Sequence, residues 1–197
     1  KMVSKTVRIS SLLLFPMMVG LAAVAEPLVS LLLTDKWLEC VPYLQIFAIG
    51  YLFQAIQLAI IQAIKAIGDS GTPLKLEIIK KCVEVFFLIV TIRQGVLIFA
   101  SSLLICSVIS HLLNMFAAKR ILNYTVKQQL IDILPATLFS AVMAACVKCV
   151  TQLLNGAFVS LVAGIATGVA VYLLLCMLFR VPEIKQLKNR LFKRKHA

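Results

Sequence analysis

Six apolar runs, each close to the length of one bilayer crossing, leave this chain few folds to choose from. Residues 9–33, 41–64, 74–92, 96–118, 131–151 and 157–179 suit a hydrocarbon core roughly 30 Å thick when coiled at about 1.5 Å per residue. The chain is 61% hydrophobic and 14% charged over 197 residues, more apolar surface than a soluble domain of that size hides. The expected fold is therefore all-α, a polytopic membrane protein built as a six-helix transmembrane bundle.

The distribution of Lys and Arg sets the topology. Six crossings place seventeen of the twenty Lys and Arg on one side and leave Lys36, Arg93 and Lys148 opposite; the positive-inside rule then makes both termini cytoplasmic. The third run is the weak one, because Lys75, Glu77, Lys80, Lys81 and Glu84 occupy its first half. If it failed to cross, every later segment would invert, leaving nine basic residues inside and eleven outside. The bias favours six spans. The net charge of +12 is then the sum of cytoplasmic loops and tail facing anionic lipid headgroups, not a nucleic-acid surface.

Residues 1–180 are expected to form the bundle and 181–197 a basic amphipathic cytoplasmic tail, with Ile184, Leu187 and Leu191 on one face for the membrane surface. The first apolar segment is too long for a cleavable signal core. The cysteines lie within spans or, for Cys40, at an outer boundary, and imply packing, not a disulfide framework. Short loops make sequential spans antiparallel neighbours. Pro16 is expected to kink the first span and Glu26-Pro27 to end it, with residues 28–33 returning along the interface. Trp37, Tyr43 and Tyr124 are expected as rings at headgroup level.

Polar side chains inside spans carry most of the functional information, since lipid tolerates them only toward the bundle interior or a wet cavity. Gly50, Gln54, Gln57 and Lys65 share a face of the second span. Glu77, Lys80, Glu84 and Thr91 share one on the third, with i,i+4 pairs expected between Glu77 and Lys81 and between Lys80 and Glu84. Ser107, His111 and Asn114 line up on the fourth span, with Ser110 beside them, and Thr137, Ser140, Lys148 and Thr151 on the fifth. Helix packing accounts for the hydroxyls and amides. Snorkelling accounts equally well for Lys65 and Lys148, near span ends. Glu84, about two turns inside its span, points to a water-filled cavity for an anionic or polar substrate.

Other patterns carry no chemistry. The letters Gly-Asp-Ser-Gly at 68–71 read as a turn without a base nearby, and Cys146-x-x-Cys149 sits in an apolar helix without a second ligand pair. Gly164 and Gly168 form a GxxxG, expected as a close helix contact. There is no phosphate-binding or dinucleotide fingerprint; no catalytic set, metal site or cofactor is expected, and the chain does not read as an enzyme.

Residues 15–37 (FPMMVGLAAVAEPLVSLLLTDKW), 41–56 (VPYLQIFAIGYLFQAI) and 65–81 (KAIGDSGTPLKLEIIKK) resemble the polysaccharide and lipopolysaccharide biosynthesis transporters, the oligosaccharide flippases of the multidrug/oligosaccharidyl-lipid/polysaccharide exporter superfamily. Later spans fit in length and order but are generic. The resemblance implies one lobe of a MATE-like transporter, approximately the C-terminal one, read as a fragment because the chain starts at Lys1 and has six spans. It implies translocation of lipid-linked oligosaccharide, carried on polyprenyl diphosphate, across the bacterial inner membrane, with the polysaccharide polymerase machinery as a candidate partner. On helical geometry, Lys65, Lys80, Lys81, Arg93 and Lys148 are candidates for phosphate contact, Gln54 and Gln57 for sugar hydroxyls, and Glu84 for a coupling ion. A drug or metabolite exporter of the same superfamily, expected to prefer an acidic cavity where this bundle's interior reads as more basic than acidic, and a non-transporting accessory subunit are the alternatives.

Overall fold

The computed structural model describes residues 2–154 and 156–179, so the basic tail 181–197 lies outside the described residues. The described chain forms α1 (Met2–Ala23), α2 (Ala25–Leu33), α3 (Val41–Gly50), α4 (Gln54–Ala66), α5 (Gly71–Thr91), α6 (Val96–Leu122), α7 (Val126–Leu153) and α8 (Ala157–Leu178), with 3-10 turns at Asp35–Cys40 and Tyr51–Phe53. Five stretches, namely α1, the run Asp35–Ala66, α6, α7 and α8, are long and apolar enough to cross a membrane. At 21 residues α5 has the length, and only its charged first half sets it apart. It runs along α6, where the Thr91 and Ser102 hydroxyls approach to 3.3 Å. The described residues thus hold five candidate spans where six were expected, with α5 a further helix of spanning length.

Side-chain contacts fix the direction of each pass. Gln45 donates to the Ala22 carbonyl and Phe15 meets Phe53 edge-on, so α1 is antiparallel to α3 and α4. Ser4 donates to Asp132 while Gly20 faces Met143, so α1 and α7 are parallel. The GxxxG of α8 packs antiparallel on α7: a Cβ at Gly164 would lie 3.0 Å from Thr151 Cγ2 and 3.1 Å from Val24 Cγ1, and one at Gly168 3.3 Å from Val147. Small residues let these backbones approach, and in lipid such packing is a main force between helices. The core behind them joins Val7, Leu12 and Phe15 of α1 to Ile56, Ile60 and Ile64 of α4 and Ile133, Ala136 and Phe139 of α7. Outside, Leu13, Leu134, Leu138, Phe158 and Leu174 are exposed, as a lipid-facing surface requires.

Several boundaries differ from the sequence expectation, each for a physical reason. The first span does not end at Glu26-Pro27: Val24 and Leu28 amides donate to Gly20 and Val24 carbonyls, so i→i−4 bonds continue across the junction. Pro27 sits in the first turn of α2, where its missing N–H costs nothing, and Glu26 beside it complements the helix dipole. The stretch expected along the interface belongs to a separate short helix, α2, with Ala25 and Val29 buried and the helix packed on α8. Pro16 is contained within a continuous α1. The second span, expected unbroken, is interrupted by the Tyr51–Phe53 turn. The wide inner loop expected between the fourth and fifth spans shrinks to 123–125, because Asn123 caps α6 in the left-handed region and Thr125 with Gln128 forms a capping box for α7.

Tyr124, in the connection between α6 and α7, turns its ring into the protein: it is 5% exposed, and its hydroxyl donates to Asp132 at 2.7 Å. The 68–71 segment is a turn, as expected: Gly68 has φ +91°, and Asp69 accepts from the Thr72 amide at 2.9 Å and hydroxyl at 2.6 Å, tying down the start of α5.

Candidate functional site

A groove of about 360 Å³ opens beside α5, walled by the end of α3, the Tyr51–Phe53 turn, α4 and α6. Gln54, Gln57, Lys80, Lys81 and Glu84 all line it, so five of the eight residues singled out from sequence come together, joined by Glu77, Ser107 and Ser110. Lys80 lies nine residues into α5, about 13 Å along its axis at helical rise. It is therefore near the middle of the pass and only 5% exposed.

Within the groove each lysine has a carboxylate. Lys80 Nζ is 2.9 Å from Glu77 Oε1 and Lys81 Nζ is 2.6 Å from Glu84 Oε2. These are i,i+3 pairs, not the i,i+4 pairs expected. Side chains on a helix lean toward its N-terminus, so Lys80 reaches back to Glu77 and Glu84 reaches back to Lys81. Two ammoniums are thus balanced by two carboxylates, and the interior expected to be more basic than acidic is neutral at this site.

The opposite wall is held in register by α6. Ser107 Oγ donates to the Gly50 carbonyl at 2.6 Å and Asn114 Nδ2 donates to Gln57 Oε1 at 3.0 Å, so one straight helix bridges both halves of the interrupted second pass. The Ser107 bond adds a side-chain donor to a carbonyl at the interruption. His111 stacks on Phe53 of the turn, ring centroids 4.5 Å apart, with its Nδ1 unpartnered and buried. The stripe read on the fourth span is therefore divided: Ser107 and Ser110 face the groove, while His111 and Asn114 are buried beside it.

Lys65, Arg93 and Lys148 do not join the groove. Lys65 is exposed in the last turn of α4 and Arg93 between α5 and α6. Lys148 is exposed and lines a second crevice of about 390 Å³ at the other end of α7, with Glu26, Asp35, Thr151 and Gln152.

One polar cluster escaped the sequence reading. At the end of the bundle carrying the α1 start, Ser4 and Tyr124 both donate to buried Asp132. Fully buried Gln129 donates to the Tyr124 carbonyl at 2.8 Å and the Met115 carbonyl at 3.3 Å. Burial, helped by the bond to Asp132, pushes the Tyr124 phenol above its ordinary value. The Thr125-Val-Lys-Gln128 capping box was the available signal, because it starts α7 at Val126 and so brings Gln129 into the helix.

The architecture is a helical bundle with an interrupted stretch at Tyr51–Phe53 and a polar groove beside α5. In the structure of the lipid II flippase MurJ in an inward closed conformation the same fold recurs: the TM-score is 0.79 at 21% sequence identity, over 92% of this chain and 39% of that one. Residues 1–42 match a family described as polysaccharide biosynthesis protein. No curated protein matches significantly. The chain thus spans about two fifths of the MurJ length, and both findings support the resemblance to polysaccharide-biosynthesis transporters carried by residues 15–81.

Proposed function

We propose that this chain forms approximately one lobe of a transporter that moves oligosaccharides linked to polyprenyl diphosphate across the bacterial inner membrane, for lipopolysaccharide or exopolysaccharide assembly, with both termini cytoplasmic. The observation that carries the reading is Lys80, a nearly buried cation near the middle of α5, in a groove whose polar lining includes Lys81, Glu77, Glu84, Gln54, Gln57, Ser107 and Ser110 beside apolar side chains. A diphosphate crossing hydrocarbon needs a cation at that depth, and sugars need donors and acceptors beside it; Gln54 and Gln57 supply both. Alternating access adds a second lobe facing this groove. Glu77 and Glu84 serve as counter-charges that release Lys80 and Lys81 when phosphate arrives, and Glu84 is the candidate for a coupling ion.

The two carboxylates also favour a second reading, an exporter of cationic drugs or metabolites, which the basic interior expected from sequence would have disfavoured. The match of residues 1–42 to a polysaccharide biosynthesis family supports the first reading over it.

Complementation separates them. The full-length gene carrying Lys80→Ala, in a strain lacking its polysaccharide flippase, is expected to lose surface polymer about ten- to a hundred-fold at normal membrane levels, the loss of one charge-assisted hydrogen bond to a desolvated phosphate. Lys80→Arg keeps part of it. Full polymer from both Lys80→Ala and Glu84→Gln overturns the role of the groove, and drug resistance without polymer from the unaltered gene installs the exporter reading.

A further inference from the structure

Two cations from different helices converge at one end of the bundle. Lys75 is the fifth residue of α5, and Arg120 lies two residues before the end of α6. Between the helices at that end is a recess of about 570 Å³, which both cations line together with Asp69, Leu76, Leu113 and Phe116. Asp69 is already engaged, accepting from the Thr72 amide and hydroxyl. Lys75 and Arg120 make no hydrogen bond or ion pair among the described residues. Two cations against one occupied carboxylate leave the recess positive. Its lining is also ordered by depth: Leu113 lies seven residues before Arg120, about 10 Å along α6 at helical rise. The charges therefore stand at the helix ends and the apolar wall lies beyond them, toward the bundle middle. With Leu76 9% exposed and Leu113 half-buried, this is a space between two helices, which meet again at the other end through the Thr91 and Ser102 hydroxyls.

We propose that this recess binds one anionic phospholipid of the adjoining leaflet, its phosphate between Lys75 and Arg120 and the upper part of an acyl chain against Leu76, Leu113 and Phe116. Arg120 offers parallel N–H donors to phosphate oxygens and Lys75 a mobile point charge. A basic pocket between membrane helices suits an anionic head group, and the topology proposed above makes this the cytoplasmic leaflet. The lipid is a resident brace and not the cargo. In α5, which carries the groove charges, few residues are buried, and a lipid wedged at its start supplies packing that the protein itself does not. The inference needs only that α5 and α6 reach a membrane surface here, so it stands apart from what the groove transports.

The test places the full-length protein in phosphatidylcholine vesicles carrying a trace of phosphatidylglycerol with a diazirine on an upper acyl carbon, and reads cross-links by peptide mass spectrometry. Label is expected on the α6 peptide containing Leu113 and Phe116. Lys75→Gln and Arg120→Gln each reduce it about fivefold, the worth of one basic side chain beside an anionic head group, and Arg120→Lys keeps most of it. Both cations are exposed, so their loss leaves the fold intact. Lys119→Gln removes the same charge from the neighbouring position outside the recess and leaves the label unchanged. Unlabelled phosphatidylglycerol competes and inorganic phosphate does not. Equal label from a matched phosphatidylethanolamine probe, an equal loss in Lys119→Gln, competition by inorganic phosphate, or a recess unlabelled because another part of the transporter fills it, overturns the site. None of these outcomes touches the flippase reading, which the polymer assay decides separately.

Discussion

The α1–α7–α8 block and α5 are built to opposite rules. In the block, Gly164 leaves only a tight fit for a Cβ against Thr151 and Val24, Tyr172 donates to the Leu12 carbonyl at 2.6 Å, and Phe139 touches both Tyr172 and Phe179. In α5 only Pro73, Leu76, Lys80 and Thr91 of 21 residues are buried, and its packing is mostly against α6. Lipid is as apolar as leucine, so helices there associate through close packing and not through burial of apolar surface. A helix that carries charges for a substrate gives up that packing; the block supplies the rigidity that α5 lacks.

The largest expected effect comes from filling the block. Gly164→Val drives a branched side chain into Thr151 and Val24 and is expected to destabilise the protein by about 3 kcal/mol, read as a fall in its midpoint in detergent unfolding. A cost no larger than that of the substitution described next would end the contrast between the two regions. Asn114→Ala removes the donor to Gln57 across the groove wall, and about 1 kcal/mol is expected by the same measurement; a greater loss would show the groove wall to be as structural as the block. The smallest effect concerns the anchorage of α5. Hydrogen bonds from Thr72 hold the Asp69 carboxyl below its ordinary value, so the contribution is complete above that ordinary value and is lost as pH falls through the depressed one. Hydrogen exchange at the Thr72 amide, corrected for its intrinsic pH dependence, is expected to accelerate only in that acid range and to lose the transition in Asp69→Asn.

Sequence was informative where a residue's neighbours lie on its own helix, and less so where they come from another. The polar stripes of the second and third spans do converge, because the 3.6-residue period alone puts Gln54 with Gln57 and Lys80 with Glu84. Lys65 shares the face of Gln54 and Gln57 yet sits about two turns beyond Gln57, Arg93 lies past the end of α5, and Lys148 is on α7, which does not line the groove. Asp132 lies within the expected fifth span but drew no reading of its own, because its partners Ser4 and Tyr124 come from α1 and the α6–α7 connection. The interruption at Tyr51–Phe53 has no proline to announce it. Gly50 is the local sign, and its carbonyl accepts a further bond from Ser107, 57 positions on.

The parallel pairing of α1 with α7 reaches beyond the finished structure to the order in which the protein is made. About 100 residues separate the end of α1 from the start of α7, so at about 5–20 residues per second a ribosome needs roughly 5–20 s to deliver the partner. During that interval the first helix stands in the bilayer with its Ser11 and Phe15 face toward acyl chains or insertion machinery, while α3, α4, α5 and α6 emerge and settle. Closure of the central block is consequently a late event in biogenesis, and a slowing of synthesis before residue 126 would prolong the time in which an incomplete bundle is open to membrane proteases.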